Sequence, residues 1–277
     1  PDQINSALTI NSVIFNLARL IGPAIAGFAL QAVGEAACFL LNGISFMAVL
    51  FSLTKLKIKD VPVKRHESGI RSLRDGIAYT MKFDVLKKIL ISSAVFYFLC
   101  FPFSTLLPFF ARNVFHSNAS TLGLFLGSVG CGAIVGVIYQ ASLVPVRKLH
   151  RNLVFSIAFY GCGIALFACS KNILFSCAAL TLLGFGMSTG SVCFNTLVQS
   201  IIDEDKRGRV MSLYTVGNIG VGPMGSLTAG IIADAMGGTF TGMLFACGAF
   251  LLAYVFNKCL HDMEPELLRI MEEKKMV

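Results

Sequence analysis

Charged residues are scarce in this sequence, and tryptophan is absent. Asp, Glu, Lys and Arg make up 14% of the 277 residues, whereas a soluble domain carries roughly 25%. Hydrophobic side chains instead make up 55% of the chain, and the mean hydropathy is +0.74. Without tryptophan, anchoring at a membrane interface is left to Tyr, Phe and the basic residues. These shortages exclude an ordinary soluble domain and favour an integral membrane protein.

Motifs of catalysis and metal binding are also missing. The nine cysteines form no Cys-x-x-Cys pair, and the four histidines do not cluster. Most of the cysteines fall within or at the ends of apolar segments, so we interpret them as small packing residues and not as a disulfide framework. There is no nucleophile–base pair and no phosphate-binding loop. The sequence therefore predicts no catalytic residue, no metal ligand and no cofactor, and it disfavours an enzyme.

Eight apolar segments are long enough to cross a membrane, for which about 20 mainly apolar residues are needed. They are Leu8–Ala32, Cys38–Leu56, Leu86–Phe110, Thr121–Leu143, Leu153–Cys169, Ile173–Ile201, Met211–Ala235 and Phe240–Cys259. Pro102 and Pro108 are expected to break the third span. The sequence thus predicts an all-α, polytopic membrane protein with eight transmembrane helices.

The basic residues predict how these helices are oriented. Twenty of the 23 Lys and Arg fall in every second connection, namely Lys55–Lys88, Pro145–Asn152, Asp203–Val210 and the tail from Asn257. The alternate connections hold only Arg112 and Lys171. By the positive-inside rule the first set is cytoplasmic, which places both ends of this chain in the cytoplasm. We interpret the net charge of +8 as this topology signal, with anionic lipid headgroups and not nucleic acid as the partner.

An internal repeat relates the first pair of helices to the last pair. A shift of 203 residues places Gly22-Pro-Ala-Ile-Ala-Gly27 on Gly225-Ser-Leu-Thr-Ala-Gly230, and Gly34 on Gly237. A plan of two parallel six-helix halves then implies four further helices before this chain. The expected domains are residues 1–58 (last two helices of an N-terminal bundle), 59–88 (cytoplasmic central loop with an amphipathic helix), 89–260 (C-terminal six-helix bundle) and 261–277 (cytoplasmic tail).

The amphipathic helix of the central loop is predicted between Glu67 and Ile91. Ser68 can cap it, and its apolar side chains fall on one face: Ile70, Leu73, Ile77 and Met81. Such a helix can lie on the inner membrane surface. The alternative is an ordinary solvated linker.

The first span holds four candidate residues for transport and gating. Arg19 is the only charged side chain deep inside a predicted span, where an arginine costs about 2.5–3.5 kcal/mol. It is either a cation of the substrate path or a structural arginine bonded to helix carbonyls. Gly22, Pro23 and Gly27 favour a closely packed, kinked helix. That helix can seal one half of the protein against the other, or it can simply pack.

Further candidates lie at the end of the sixth span and in the loop that follows it. Asn195 and Gln199 lie one turn apart, and they either line the pathway or join helices by hydrogen bonds. The charged loop contributes Asp203, Asp205, Arg207, Gly208 and Arg209, with Gly208 expected to permit the turn. We interpret its charges as a conformational latch between helix ends. The alternative is a solvated loop.

These segments resemble the major facilitator superfamily and, within it, the bacterial efflux branch of the enterobactin exporter, macrolide efflux proteins and transmembrane secretion effectors. The resemblance is carried by Asn16-Leu-Ala-Arg-Leu-Ile-Gly-Pro-Ala-Ile-Ala-Gly27, Cys38-Phe-Leu-Leu-Asn-Gly-Ile-Ser-Phe46, Leu73-Arg-Asp-Gly-Ile-Ala-Tyr79 and Arg207-Gly-Arg-Val-Met-Ser-Leu-Tyr214. It covers nearly the whole chain and implies family helices five to twelve of an expected twelve. Gly22, Pro23 and Gly27 match the antiporter motif of family helix five, which accompanies proton-driven export.

The resemblance implies a secondary-active exporter in the bacterial inner membrane. Its expected partners are an amphipathic small molecule such as a drug or a siderophore, protons as the coupling ion, and the lipid bilayer. Two alternatives remain open. One is a permease for nutrient uptake, and the other is a membrane fragment that does not transport.

Overall fold

Helices account for almost all of the chain that the structure describes. The computed structural model describes residues 33–34, 36–55, 69–117, 119–142, 149–203 and 206–273. Its helices are α1 (Ala36–Thr54), α2 (Gly69–Lys82), α3 (Asp84–Cys100), α4 (Pro102–Asn113), α5 (Ala119–Ser142), α6 (Leu149–Cys169), α7 (Ile173–Ile201), α8 (Arg207–Met236) and α9 (Gly238–Glu273). No strand occurs in these ranges. The all-α prediction is confirmed.

Seven segments in these ranges are long and apolar enough to cross a membrane. They correspond to the second to eighth predicted spans, while Leu8–Ala32 lies outside the described residues. One of the seven, Asp84–Asn113, consists of α3 and α4 together. The chain is therefore a multi-pass membrane protein.

The third span is interrupted at one of its two prolines. Phe101 separates α3 from α4, Pro102 begins α4, and Pro108 lies inside α4. Proline is tolerated in the first turn of a helix because the amide there has no intrahelical acceptor. The helical hydrogen bonding is therefore interrupted at Pro102, although the Phe101 backbone stays helical (φ −61°, ψ −35°), and the expectation of a break at Pro108 was wrong.

The six spans from α3 to α9 pack around a shared apolar core. Helix α7 lies against α5 and α6, α6 packs on α9, and α8 packs on α3 and α4. Aromatic rings fill the centre: the ring centroid of Phe194 lies 5.5 Å from that of Phe96 and 5.8 Å from that of Phe256. Helix α1, in contrast, buries none of its side chains against the rest of the described chain. The assignment of residues 1–58 to another bundle stays a prediction.

Glycines let α7 approach its neighbours closely. A Cβ atom on Gly132 of α5 would overlap the Thr181 carbonyl oxygen, and one on Gly184 of α7 would overlap the Val129 carbonyl oxygen. Such contacts bring helix backbones together, as is typical of helix pairs in membranes. Two backbones in direct contact leave α7 little freedom to rotate or slide, so the side chains on its remaining face are held in place.

Two glycines related by the 203-residue shift share a rare backbone conformation. The φ angle is +79° at Gly34 and +86° at Gly237, values that glycine adopts without the strain that other residues incur. Each glycine stands just before the second helix of its pair, α1 or α9. This shared geometry supports the internal repeat.

Helix α2 forms in the central loop, and the part of its apolar face whose side chains the structure describes is exposed. Ile77 and Met81 are 45% and 59% exposed. Gly76 and Thr80 are buried instead, where α2 meets α8. The helix ends at Lys82, since Phe83 is extended (φ −115°, ψ 104°), which is earlier than the sequence suggested. Docking of the apolar face on the membrane stays a prediction.

Candidate functional site

Helix α7 carries a line of polar side chains from its middle to one end. Ser191, Asn195 and Gln199 follow each other at intervals of four residues, which places them on one face of the helix. All three are half-buried. At 1.5 Å per residue, Ser191 lies about 15 Å from the end of α7 at Ile201. The three side chains, here named the polar line, therefore extend from mid-membrane to one membrane surface.

Hydrogen bonds connect the outer end of the polar line to α8. The Gln199 amide nitrogen donates to Asn195 Oδ1, and the Arg207 guanidinium donates to Gln199 Oε1 at 2.5 Å. The structure thus brings together three of the predicted site residues. Gln199 joins α7 to α8 by a hydrogen bond, as the helix-joining interpretation required. Its partial exposure is also compatible with the other interpretation, that it lines the pathway.

The connection between α7 and α8 is also tied to the central loop. The Tyr79 hydroxyl of α2 donates to a carboxylate oxygen of Asp203 at 2.9 Å, across 124 residues of sequence. On the other side of the connection, a Cβ atom on Gly76 would lie 3.1 Å from the Arg209 carbonyl oxygen. The central loop and the charged loop therefore lie at the same end of the bundle, as the distribution of basic residues predicts.

Gly208 does not have the role expected of it. It is the second residue of α8, and the positive φ angles among the described glycines occur at Gly34 and Gly237. The chain enters α8 with an ordinary helical backbone at this position, so the turn does not depend on a left-handed glycine. The remaining predicted site residues lie outside the described residues: Arg19, Gly22, Pro23, Gly27 and Asp205.

At mid-membrane the polar line meets a second group of polar side chains. The hydroxyls of Tyr97 (α3) and Ser191 share a hydrogen bond of 2.6 Å, and Ser93 Oγ lies 3.3 Å from Asn218 Oδ1 of α8. Tyr214 lies beside Tyr97 and Asn218. These five residues are named the inner cluster. None of the five was a candidate site residue in the sequence analysis, although Asn218 offered the same signal as Asn195, an amide within an apolar span.

The inner cluster is uncharged, and so is its membrane environment. The charged side chains of the described spans stand near the span ends: Asp84, Lys87, Lys88, Arg112, Arg151, Arg207, Arg209, Asp234 and Lys258. Among the residues that the structure describes, no three His, Cys, Asp or Glu come together as metal ligands. The arrangement can therefore act on a small molecule through neutral hydrogen bonds and apolar contacts.

Replacing Gln199 by leucine is expected to loosen the link between α7 and α8. The Arg207 bond is exposed, so its loss should cost about 1 kcal/mol, equivalent to roughly fivefold faster local opening. Hydrogen exchange of the amides between residues 199 and 210 would measure this. Ser212→Ala serves as the matched control, because the Ser212 hydroxyl bonds only within α8, to the Gly208 carbonyl. Equal exchange in wild type and Gln199→Leu would contradict the link.

Comparison with known proteins gives a consistent family signal. A family model described as transmembrane secretion effector matches residues 1–271. The chain is similar to the staphyloferrin A transporter of Staphylococcus aureus, with 24% identity over 257 residues that cover 92% of this chain and 64% of that protein. It is similar to the multidrug efflux pump Tap of Mycobacterium tuberculosis, with 27% identity over 246 residues (85% and 56%).

A third relative is the enterobactin exporter EntS of Shigella flexneri, which is 23% identical over 236 residues (85% of this chain and 55% of that protein). The chain thus spans between 55% and 64% of the length of these relatives.

Proposed function

Because the chain belongs to the transmembrane secretion effector family of the major facilitator superfamily, we propose that it forms part of a secondary-active exporter of amphipathic small molecules. Drugs and siderophores are the proposed substrates, since a multidrug efflux pump and an enterobactin exporter are among its relatives. The proposed location is the bacterial inner membrane, with both ends of this chain in the cytoplasm.

The polar line is the observation that carries this proposal. Polar side chains inside a membrane are costly, and they usually face a water-filled path, a partner or the bundle interior. Ser191, Asn195 and Gln199 are only half-buried, on a helix whose other faces are packed against α5 and α6. A continuous polar strip on an otherwise apolar bundle fits one wall of a path for a molecule that is partly polar.

The charged loop is proposed as part of the gate at the cytoplasmic end of this path. Its bonds tie α2, α7 and α8 to one another through Tyr79–Asp203 and Gln199–Arg207. We propose that these three helix ends move as one unit when the cytoplasmic side opens. The latch suggested by the sequence requires instead that some of these bonds break.

Proton coupling is proposed to depend on residues outside the described spans. The middle of each described span lacks an acidic residue, and a carboxylate is the usual carrier of a proton in such transporters. Within this chain, Arg19 stays the candidate residue for proton coupling. Gly22, Pro23 and Gly27 form the motif of the same span. The partner of Arg19 is proposed to be either backbone carbonyls or an acidic residue that this chain does not supply.

Export of ethidium tests the proposed function. Cells that produce the full-length protein are expected to accumulate less ethidium than cells with an empty vector, and a protonophore should abolish the difference. Export resistant to the protonophore would contradict proton coupling but not export. Higher ethidium accumulation in the producing cells would favour uptake, and equal accumulation of ethidium and other drugs would favour a membrane protein that does not transport.

A further inference from the structure

Two side chains of the inner cluster are buried with unused hydrogen-bonding groups. Tyr214 is 6% and Asn218 is 5% exposed. Neither the Tyr214 hydroxyl nor the Asn218 amide nitrogen makes a hydrogen bond of normal geometry with a described residue, although the Tyr214 hydroxyl lies near the side chains of Tyr97 and Asn218. An unsatisfied buried polar group costs about 1–3 kcal/mol. Two such groups one helical turn apart point to a partner that is not part of the described chain.

The unused groups are hydrogen-bond donors. An amide nitrogen can only donate, and a phenol hydroxyl can donate as well as accept. The acceptor atom of Asn218, Oδ1, is already approached by Ser93 Oγ at 3.3 Å. The matching chemical group is therefore an acceptor, such as a carbonyl oxygen. Both donors are neutral and no cation accompanies them at this depth in the described spans, so an uncharged acceptor matches them without the cost of a buried anion.

The rim of the inner cluster is suited to the apolar part of the same molecule. Tyr97 is half-buried and Phe101 is 38% exposed, and their ring centroids are 6.3 Å apart. A Cβ atom on Gly222 would lie 2.7 Å from the Phe101 ring, so this glycine makes room for the ring against α8. Aromatic faces next to hydrogen-bond donors favour a ligand with an apolar body and a polar group.

We propose that the inner cluster is a binding site for the exported molecule, with Tyr214 and Asn218 donating hydrogen bonds to an uncharged carbonyl-type oxygen. The assignment rests on the proposed function and adds the substrate class and the residues that select it. Ser191 belongs to both the inner cluster and the polar line, so a molecule that enters from the cytoplasmic end passes Gln199 and Asn195 on its way to the site.

Two export probes that differ in their acceptor groups test this assignment in the full-length protein. Chloramphenicol is uncharged and carries an amide carbonyl, whereas ethidium is an aromatic cation without a carbonyl. Tyr214→Phe and Asn218→Leu are each expected to raise the KM for chloramphenicol export about tenfold, which corresponds to 1.4 kcal/mol. The KM for ethidium export should stay at its wild-type value.

Tyr160→Phe is the matched control, because it removes a buried phenol hydroxyl that donates to the Leu99 carbonyl oxygen at 2.6 Å, outside the inner cluster. It is expected to leave both KM values unchanged. Equal loss of export for both probes, or no change for either, would overturn the assignment, the latter result indicating that water satisfies the two donors. If the wild-type protein exports ethidium but not chloramphenicol, the assignment is overturned as well. If the wild-type protein exports neither probe, the proposed function itself is contradicted.

Discussion

Gly132→Ala is expected to remove most of the folded protein from the membrane, although alanine is the better helix former. The added Cβ atom would overlap the Thr181 carbonyl oxygen, so the backbones of α5 and α7 would have to separate. Alanine gains about 1 kcal/mol over glycine in a helix, but forcing a packed core apart costs typically 1–3 kcal/mol and more where backbone must move. Gly184→Ala should have the same effect from the opposite helix, at the Val129 carbonyl oxygen.

The amount of monodisperse protein after detergent extraction measures this effect. Gly217→Ala and Gly220→Ala are the matched controls, because a Cβ atom at either position meets nothing within 4 Å. Both controls should accumulate at or above the wild-type level. Normal accumulation of Gly132→Ala would show that α5 and α7 do not approach each other as closely as described.

The order of the seven described spans could be predicted from the sequence because each transmembrane helix satisfies its backbone within itself. Local hydropathy is then sufficient to find it, and the predicted segments agree with α5, α6 and α7 to within a few residues at most ends. The span that contains α3 was predicted to begin at Leu86, slightly after its start at Asp84. Charged residues at Asp84, Lys87 and Lys88 hid its first turn, since they reduce hydropathy without preventing a helix.

Contacts between helices could not be predicted in the same way. Glycines at positions 132 and 136 are visible as small residues in the fourth span, but nothing in their spacing names α7 as the partner. The bond between Tyr79 and Asp203 joins residues 124 positions apart, and neither residue type is unusual at its position. The face by which α2 packs was missed for a related reason, because small residues such as Gly76 contribute little to an amphipathic pattern.

The candidate site was predicted in part. Asn195 and Gln199 stand out as amides in an apolar span, and the structure adds Arg207 to them. Asn218 stands out equally, but Tyr214 is an ordinary aromatic residue until its hydroxyl is seen to be buried without a partner. A missing partner is a property of the packed bundle and has no counterpart in the sequence.

Cysteines introduced together by Gly76→Cys and Arg209→Cys are expected to form a disulfide in nearly all molecules after mild oxidation. A Cβ atom on Gly76 would lie 3.8 Å from the Arg209 Cβ, close to the average separation of about 3.8 Å in disulfides. The buried Thr80 and the Tyr79–Asp203 bond hold α2 in the same place. We therefore expect α2 to stay on α8 throughout transport, so that the cross-linked full-length protein still exports ethidium at the rate of the reduced protein.

The oxidised and reduced forms of the same double variant provide the comparison, and each single variant treated with oxidant controls for effects on the nine native cysteines. Export that stops on oxidation and returns with a reductant would show that α2 leaves α8 during the cycle. The charged loop would then be a latch that opens, as its sequence suggests. Export that persists in the cross-linked form requires the cytoplasmic opening to occur elsewhere. In that case Asp203, Arg207 and Arg209 belong to a rigid end of the bundle, and the moving surface lies between this end and the helices outside the described residues.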